Sequence, residues 1–190
     1  MKETYSTGTL AGAGSFRCTE CSYAVALDSL EHVPECPNCG AAAFVRASLF
    51  ELSGDREPPG LQGEEDSEWV ETVRTELDDF GHYLAFRDDD RVTVIPLSRE
   101  WTKVGRSLAS DIRFDDPTVS RRHALIVRQS GSVRVLDDRS LNGVFLNGER
   151  VEWGQLQDSD ELVIGRYRLH FLDTTGASAH KGADANKALA

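Results

Sequence analysis

The punctuation of residues 81–173 constrains this chain more than any other feature. Nine short β-like runs, Tyr83–Arg87, Arg91–Leu97, Trp101–Gly105, Asp111–Phe114, Ala124–Arg128, Val133–Leu136, Val144–Leu146, Glu161–Ile164 and Tyr167–Phe171, alternate with turn residues such as Asp88-Asp89-Asp90, Gly131-Ser132, Asn142-Gly143 and Asn147-Gly148. Runs this short, closed by residues that tolerate tight turns, predict a β-sandwich with few helices. The polar islands Gly105-Arg106-Ser107, Ser110-Asp111-Ile112, Ser120-Arg121-Arg122-His123 and Asn142-Gly143 fall between the runs. They therefore belong on loops, the layout of a binding site carried by a β scaffold.

The chemistry of those islands is that of anion recognition. Arg106 and Arg122 offer forked, permanently charged donors, Ser107, Ser120 and Ser140 offer hydroxyls, and Asn142 both donates and accepts hydrogen bonds. The mixture suits a tetrahedral dianion attached to a peptide backbone. It does not assemble a nucleophile, base and oxyanion donor, and neither a Ser-His-Asp nor a Cys-His set is evident, so an enzyme is not expected.

Gly105-Arg106, Ser120-Arg121-Arg122-His123 and Asn142-Gly143, at these separations, resemble the signature of forkhead-associated (FHA) domains, which are phosphothreonine-binding β-sandwiches. The resemblance runs from about Gly81 to Thr174. Ser110-Asp111-Ile112, the stretch from Asp115 to Ala124, Ser140-Leu141-Asn142-Gly143 and Ile164-Gly165-Arg166-Tyr167-Arg168-Leu169 further resemble the GarA/OdhI-type bacterial regulators. Several separated islands in one order make a specific signal, whereas any one alone is weak.

The resemblance implies that Arg106 and Ser120 contact phosphate, that Arg121 or Arg122 adds to the positive field, and that Asn142 holds the main chain of the bound peptide. Ser107 and Ser140 become peripheral contacts, while Gly105, His123 and Gly143 support the loops, His123 as a buried structural residue. Two positions depart from the common FHA pattern. Leu141 stands where many members have threonine, as the GarA/OdhI type also does, and Val144 replaces a threonine after Asn142-Gly143, which removes a hydroxyl.

Cys18-Thr-Glu-Cys21 and Cys36-Pro-Asn-Cys39-Gly40 are separated by fourteen residues and resemble a zinc ribbon. Two residues between cysteines let a tight turn aim both thiolates at one ion, and two such turns complete a tetrahedron. Pro37 presets the second turn, Gly40 takes the positive φ after it, and Ser22 occupies the place where ribbons often carry glycine. Four thiolates leave no open position for water, so the expected Zn²⁺ is structural. Tyr23, Val25, Leu27 and Val33 are expected in a hairpin and residues 41–49 in a third strand. His32 reads as a solvated loop residue.

The predicted organisation of the 190 residues is a disordered N-terminus over 1–15, a zinc ribbon over 16–53, an acidic linker over 54–80, an FHA domain over 81–174 and a disordered tail over 175–190. Pro58-Pro59-Gly60 marks the linker. The stretch from Glu64 to Phe80 supports two readings. Trp69, Val73, Leu77 and Phe80 recur at helical spacing and predict a short amphipathic helix that caps the sandwich. Glu71-Thr72 and Asp79-Phe80 loosely resemble the N-terminal phosphorylation motif of GarA/OdhI-type regulators, although Val73 stands where a second threonine is found, and Thr75 has Asp78 three residues on. Thr72 or Thr75 is thus a candidate phosphorylation site and, once phosphorylated, a ligand for the chain's own FHA site.

The formal charge of −11 disfavours nucleic acid and anionic membrane surfaces. No apolar run approaches the roughly 20 residues that span a bilayer, the first 15 residues carry no signal-like apolar segment, and the chain is expected to be cytoplasmic. The expected role is a phosphothreonine-binding adaptor in bacterial serine/threonine kinase signalling. Its expected partners are phosphothreonine proteins, a kinase, its own phosphorylated segment, and, by resemblance alone, a metabolic enzyme. The alternative is that the ribbon contacts nucleic acid or a polymerase and the FHA domain recruits it. Arg17 and Arg46, among Glu20, Asp28, Glu31 and Glu35, are few charges for that task.

Overall fold

The computed structural model describes residues 3–47, 66–77, 79–88 and 91–176. Three sheets and one helix make up the described chain. The first sheet, with strand order β1-β4-β2-β3, comprises β1 (Thr4–Ser6), β2 (Gly14–Cys18), β3 (Ala24–Leu27) and β4 (Ala43–Arg46). All its pairings are antiparallel, with Phe16 opposite Val25 and Arg46. Phe16, Val25, Val33 and Phe44 fill a small core between this sheet and the cysteine turns. The hairpin thus runs from β2 to β3 through the first cysteine turn, and Val33 packs beneath it from a loop.

Residues 3–15 are ordered where disorder was expected. Residues 4–6 pair with β4, Thr7 N–H donates to Ala42 O, and Tyr5 meets the Phe16 ring edge-on at 5.2 Å. Edge pairing and one aromatic contact suffice to hold a segment that composition alone leaves without a core. Residues 48–65, which include most of the linker, and residues 177–190 of the expected tail lie outside the described residues.

The remaining strands form the sandwich. One sheet is ordered β13-β10-β9-β7-β8 and contains β7 (Trp101–Gly105), β8 (Ile112–Arg113), β9 (Ala124–Gln129), β10 (Ser132–Asp137) and β13 (Trp153–Leu156). The other is ordered β12-β11-β14-β15-β5-β6 and contains β5 (His82–Asp88), β6 (Arg91–Pro96), β11 (Val144–Leu146), β12 (Glu149–Val151), β14 (Glu161–Ile164) and β15 (Tyr167–Asp173). Leu84, Phe86, Val104, Ile126, Val135, Leu162, Leu169 and Phe171 fill the space between them. The predicted mostly β architecture is present, and β12 and β13 add two strands between the predicted runs Val144–Leu146 and Glu161–Ile164.

The single helix, α1 (Asp66–Glu76), lies on the outer face of the six-stranded sheet. Because side chains alternate along a strand, β5 sends Leu84 and Phe86 into the sandwich and Tyr83 and Ala85 outward against Val70 and Val73 of the helix. Trp69 and Leu77 complete that contact. Phe80 falls beyond the helix and is 68% exposed, so it is not part of the apolar face its spacing predicted. Arg74 ties the helix to the turn between β13 and β14 through Asp158 at 3.0 Å and Ser159 at 3.0 Å.

Candidate functional site

Three loops meet at one end of the sandwich. Arg106 follows β7 directly, Ser120 lies in the loop between β8 and β9, and Asn142 in the loop between β10 and β11. Main-chain bonds knit the first two, Arg106 N to Ser120 O at 2.9 Å and Ser107 N to Arg121 O at 3.2 Å. The backbones pass so closely that a Cβ on Gly105 would sit 2.4 Å from Arg121 O, which explains glycine at that position. The Ser120 hydroxyl accepts the Leu141 amide hydrogen at 2.9 Å and joins the third loop to the second.

His123 completes the frame from beneath. It is fully buried; Nδ1 accepts the Ser120 amide hydrogen at 3.0 Å, which leaves the Nε2 proton to be donated to Gly143 O at 3.1 Å. Burial lowers its pKa from the ordinary 6.5 to about 4, so the ring is neutral at physiological pH. Gly143 itself has a φ of 92°.

Not every predicted contact residue faces the same space. Ser107 accepts the Ala109 amide hydrogen at 3.2 Å, and the Ser140 hydroxyl donates to Asp137 at 2.9 Å and accepts from Gly143 N at 2.8 Å; both shape their own turns. Arg122 is held by Asp138 through two bonds of 2.7 and 2.6 Å, which raise its pKa further. Arg106, Ser120, Arg121, Arg122 and Arg139 nonetheless line one cleft of about 520 Å³, whose opposite wall is Ala13, Gly14, Ser15, Ala26 and Leu27 of the first module.

That opposite wall enters the site itself, which the sequence reading missed. Asn142 accepts the Ala24 amide hydrogen on Oδ1 at 2.9 Å and donates from Nδ2 to Ala24 O at 2.8 Å and Thr118 O at 3.1 Å. Two residues along, Ala26 N–H donates to Pro117 O at 2.8 Å. The Arg106 guanidinium, its side chain only 5% exposed, donates to both Glu31 carboxylate oxygens at 3.2 and 3.1 Å and lies 3.9 Å from Asp28. Arg121 donates to Asp28 at 2.9 Å, and that bond, with the nearby Arg106 charge, lowers the Asp28 pKa. Asp28 and Glu31 entered the sequence reading only as charges unfavourable to nucleic acid. Their sign, opposite to the arginine-rich loops, was the available signal.

The four cysteine sulfurs lie within 4.8 Å of one another, with Cys18–Cys39 at 3.6 Å and Cys21–Cys36 at 3.5 Å. Four thiolates about 2.3 Å from one tetrahedral ion are separated by roughly 3.8 Å, so the cluster fits a metal. The two turns repeat one pattern: Cys18 N donates to Tyr23 O and Ser22 N to Cys18 O, while Cys36 N donates to Ala41 O and Gly40 N to Cys36 O. Gly40 has a φ of 73° and Ser22 one of 62°, so serine occupies the left-handed position that glycine fills in the second turn.

A β-sandwich with an arginine and asparagine site at its loop end, joined to a four-cysteine β module, is the class these features define. Residues 102–165 match the family described as FHA domain, and residues 1–48 match one described as zinc-ribbon containing domain. An oxoglutarate dehydrogenase inhibitor from Corynebacterium diphtheriae is 48% identical over 77 residues, 40% of this chain and 54% of that protein. The glycogen accumulation regulator GarA of Mycolicibacterium smegmatis is 43% identical over 88 residues, 44% of this chain and 56% of GarA. The chain thus spans about half the length of the curated relatives it matches. Among solved structures, Mycobacterium tuberculosis EmbR in complex with a low-affinity phosphopeptide superposes with a TM-score of 0.47 at 30% identity, over 56% of this chain and 30% of EmbR.

Proposed function

We propose that the chain is a phosphothreonine-dependent regulator that acts by binding, in bacterial serine/threonine kinase signalling, with Zn²⁺ as the structural ion of its ribbon. The observation that carries the reading is the pairing at the loop end: Asn142 clamps an extended main chain through both its N–H and its C=O, while Arg106 beside it holds acidic side chains. A peptide with a phosphate on one side chain presents these same two features. Phosphothreonine brings nearly two negative charges, and charge-assisted bonds to guanidinium are about twice as strong as neutral ones.

The kinase and the phosphorylated partner follow from this reading as classes, as does a cytoplasmic place of action. No helix among the described residues is long and apolar enough to cross a membrane. A metabolic enzyme is one partner the relatives' names support. The competing reading, a ribbon that contacts nucleic acid, is weakened because Arg46 donates to Ala11 O and Ala13 O and stacks on Phe16.

Thr72 and Thr75 are exposed on α1, their hydroxyls bonded to Glu68 O and Thr72 O. Phosphate on either would add negative charge to an acidic helix and favour its release, freeing the segment to reach its own FHA site. Phosphorylated protein should then bind an external phosphopeptide more weakly than unmodified protein; equal affinity removes that switch.

The parent site is tested by NMR titration with a peptide carrying phosphothreonine and an acidic residue three positions later, beside its unphosphorylated twin. Binding of the phosphorylated peptide alone, lost in Arg106→Ala, is the expected result. Equal binding of both peptides, or binding that survives Arg106→Ala, overturns the reading. Metal content of about one zinc per chain, lost in Cys36→Ser, checks the ion.

A further inference from the structure

We infer that the zinc ribbon is an intramolecular ligand of the FHA site, with β3 in the place of a phosphopeptide main chain and Asp28 with Glu31 in the place of its phosphate. The inference deepens the proposed function by naming how the same site is regulated, and it rests on that reading.

β3 is the edge strand of its sheet, bonded to β2 on one side only. An edge strand presents a row of main-chain donors and acceptors to whatever lies beside it, and peptide-binding domains commonly exploit that row. Here the free edge faces the FHA loops: Ala24 meets Asn142 through donor and acceptor alike, and Ala26 meets Pro117 O. Ala24 and Ala26 also pack with Leu141, the residue before Asn142. The small side chains let the strand approach the loop closely.

The charge match is equally specific. Beyond the strand, the chain turns and presents two carboxylates to Arg106 and Arg121, so the pair supplies about the charge of one phosphothreonine. The grip is weaker than a phosphate would receive. Both Glu31 bonds fall on one Arg106 nitrogen at 3.1 and 3.2 Å, and Asp28 stands 3.9 Å from the other. The Ser120 hydroxyl, in the same cleft, accepts the Leu141 amide hydrogen and keeps its proton for a phosphate oxygen. The in-cis ligand thus closes the site at rest but can be displaced.

Tethering places such a ligand at an effective concentration on the order of millimolar, and an outside peptide binds with an affinity reduced by the fraction of molecules that are open. Weakening the ribbon contact therefore strengthens external binding.

Two full-length variants test this, Asp28→Asn with Glu31→Gln, and Asp28→Lys with Glu31→Lys. The probe is a fluorescent phosphothreonine peptide with an acidic residue three positions on, and hydrogen exchange is read in parallel at the Ala24 and Ala26 amides. The expected result is peptide affinity at least tenfold higher than the parent's in the charge-reversed protein, an intermediate gain in the neutral one, and at least tenfold faster exchange at both amides. Equal peptide affinity in all three proteins overturns the inference and leaves the proposed function standing. Unchanged exchange at both amides in the charge-reversed protein overturns it whatever the peptide does. Faster exchange with no peptide binding by any of the three upholds the ribbon contact and counts against phosphothreonine recognition.

Discussion

His123 shows how one buried ring can brace two loops at once. Both ring nitrogens are spent on main-chain groups of two different loops, so protonation would cost the Ser120 bond and bury a charge. The unfolded chain takes up this proton as pH falls below about 6.5, the folded chain only near 4. The stability from a neutral His123 is therefore complete above pH 6.5 and is lost between 6.5 and about 4, by roughly 3 kcal/mol. An NMR titration should place the His123 midpoint near 4; a midpoint near 6.5 contradicts the buried brace. Ser22 makes a smaller prediction. At a φ of 62° it bears the crowding that glycine avoids, so Ser22→Gly should leave the ribbon as stable or stabilise it by up to about 1 kcal/mol in metal-loaded protein. The convergence of the loops that carry Arg106, Ser120, His123 and Asn142 was legible because those residue types in that order are specific. The local bonds of Ser107 and Ser140 were not legible, since a hydroxyl in a loop serves a turn as readily as a ligand.

At the scale of elements, the short-run pattern was enough to place most sandwich strands within a residue or two. β12 and β13 escaped because they are brief, largely exposed and interrupted by Gly154, so no alternation marks them. The helix was visible in the spacing of Trp69, Val73 and Leu77, and its apolar face holds it to the sheet rather than near the site loops. Val73→Ala removes two buried methyl groups and should lower stability by about 1.5 kcal/mol while leaving phosphopeptide affinity unchanged, as denaturant unfolding and a peptide titration would show. A fall in affinity would place the helix at the site instead. The ribbon's core is small, and its cysteine turns should depend on metal for most of their folding free energy. Chelation should therefore unfold residues 4–46, release β3 from Asn142 and raise exchange at Ala24 and Ala26, with the sandwich core still protected.

For the whole molecule, the decisive fact is an adjacency no local pattern announces. An acidic turn in the ribbon and a cationic loop cluster in the sandwich are each ordinary surface charge when taken alone; only the fold brings Glu31 and Arg106, 75 residues apart in sequence, to 3.1 Å. The same contact joins two modules that match separate families, setting Asp28 and Glu31 of the four-cysteine module against Arg106 and Arg121 of the sandwich. It also gives the chain's −11 charge a local structure: the positive loops at this end of the sandwich are paired with the chain's own carboxylates, which on the proposed regulation give way to a stronger anion. An NMR titration that follows the Asn142 side-chain amide and the Ala24 amide while a phosphothreonine peptide is added measures this directly. The account predicts that both signals move together, at one saturating concentration, as the peptide takes the asparagine and the strand lets go. A peptide that binds while Asn142 and Ala24 stay as they were would contradict it.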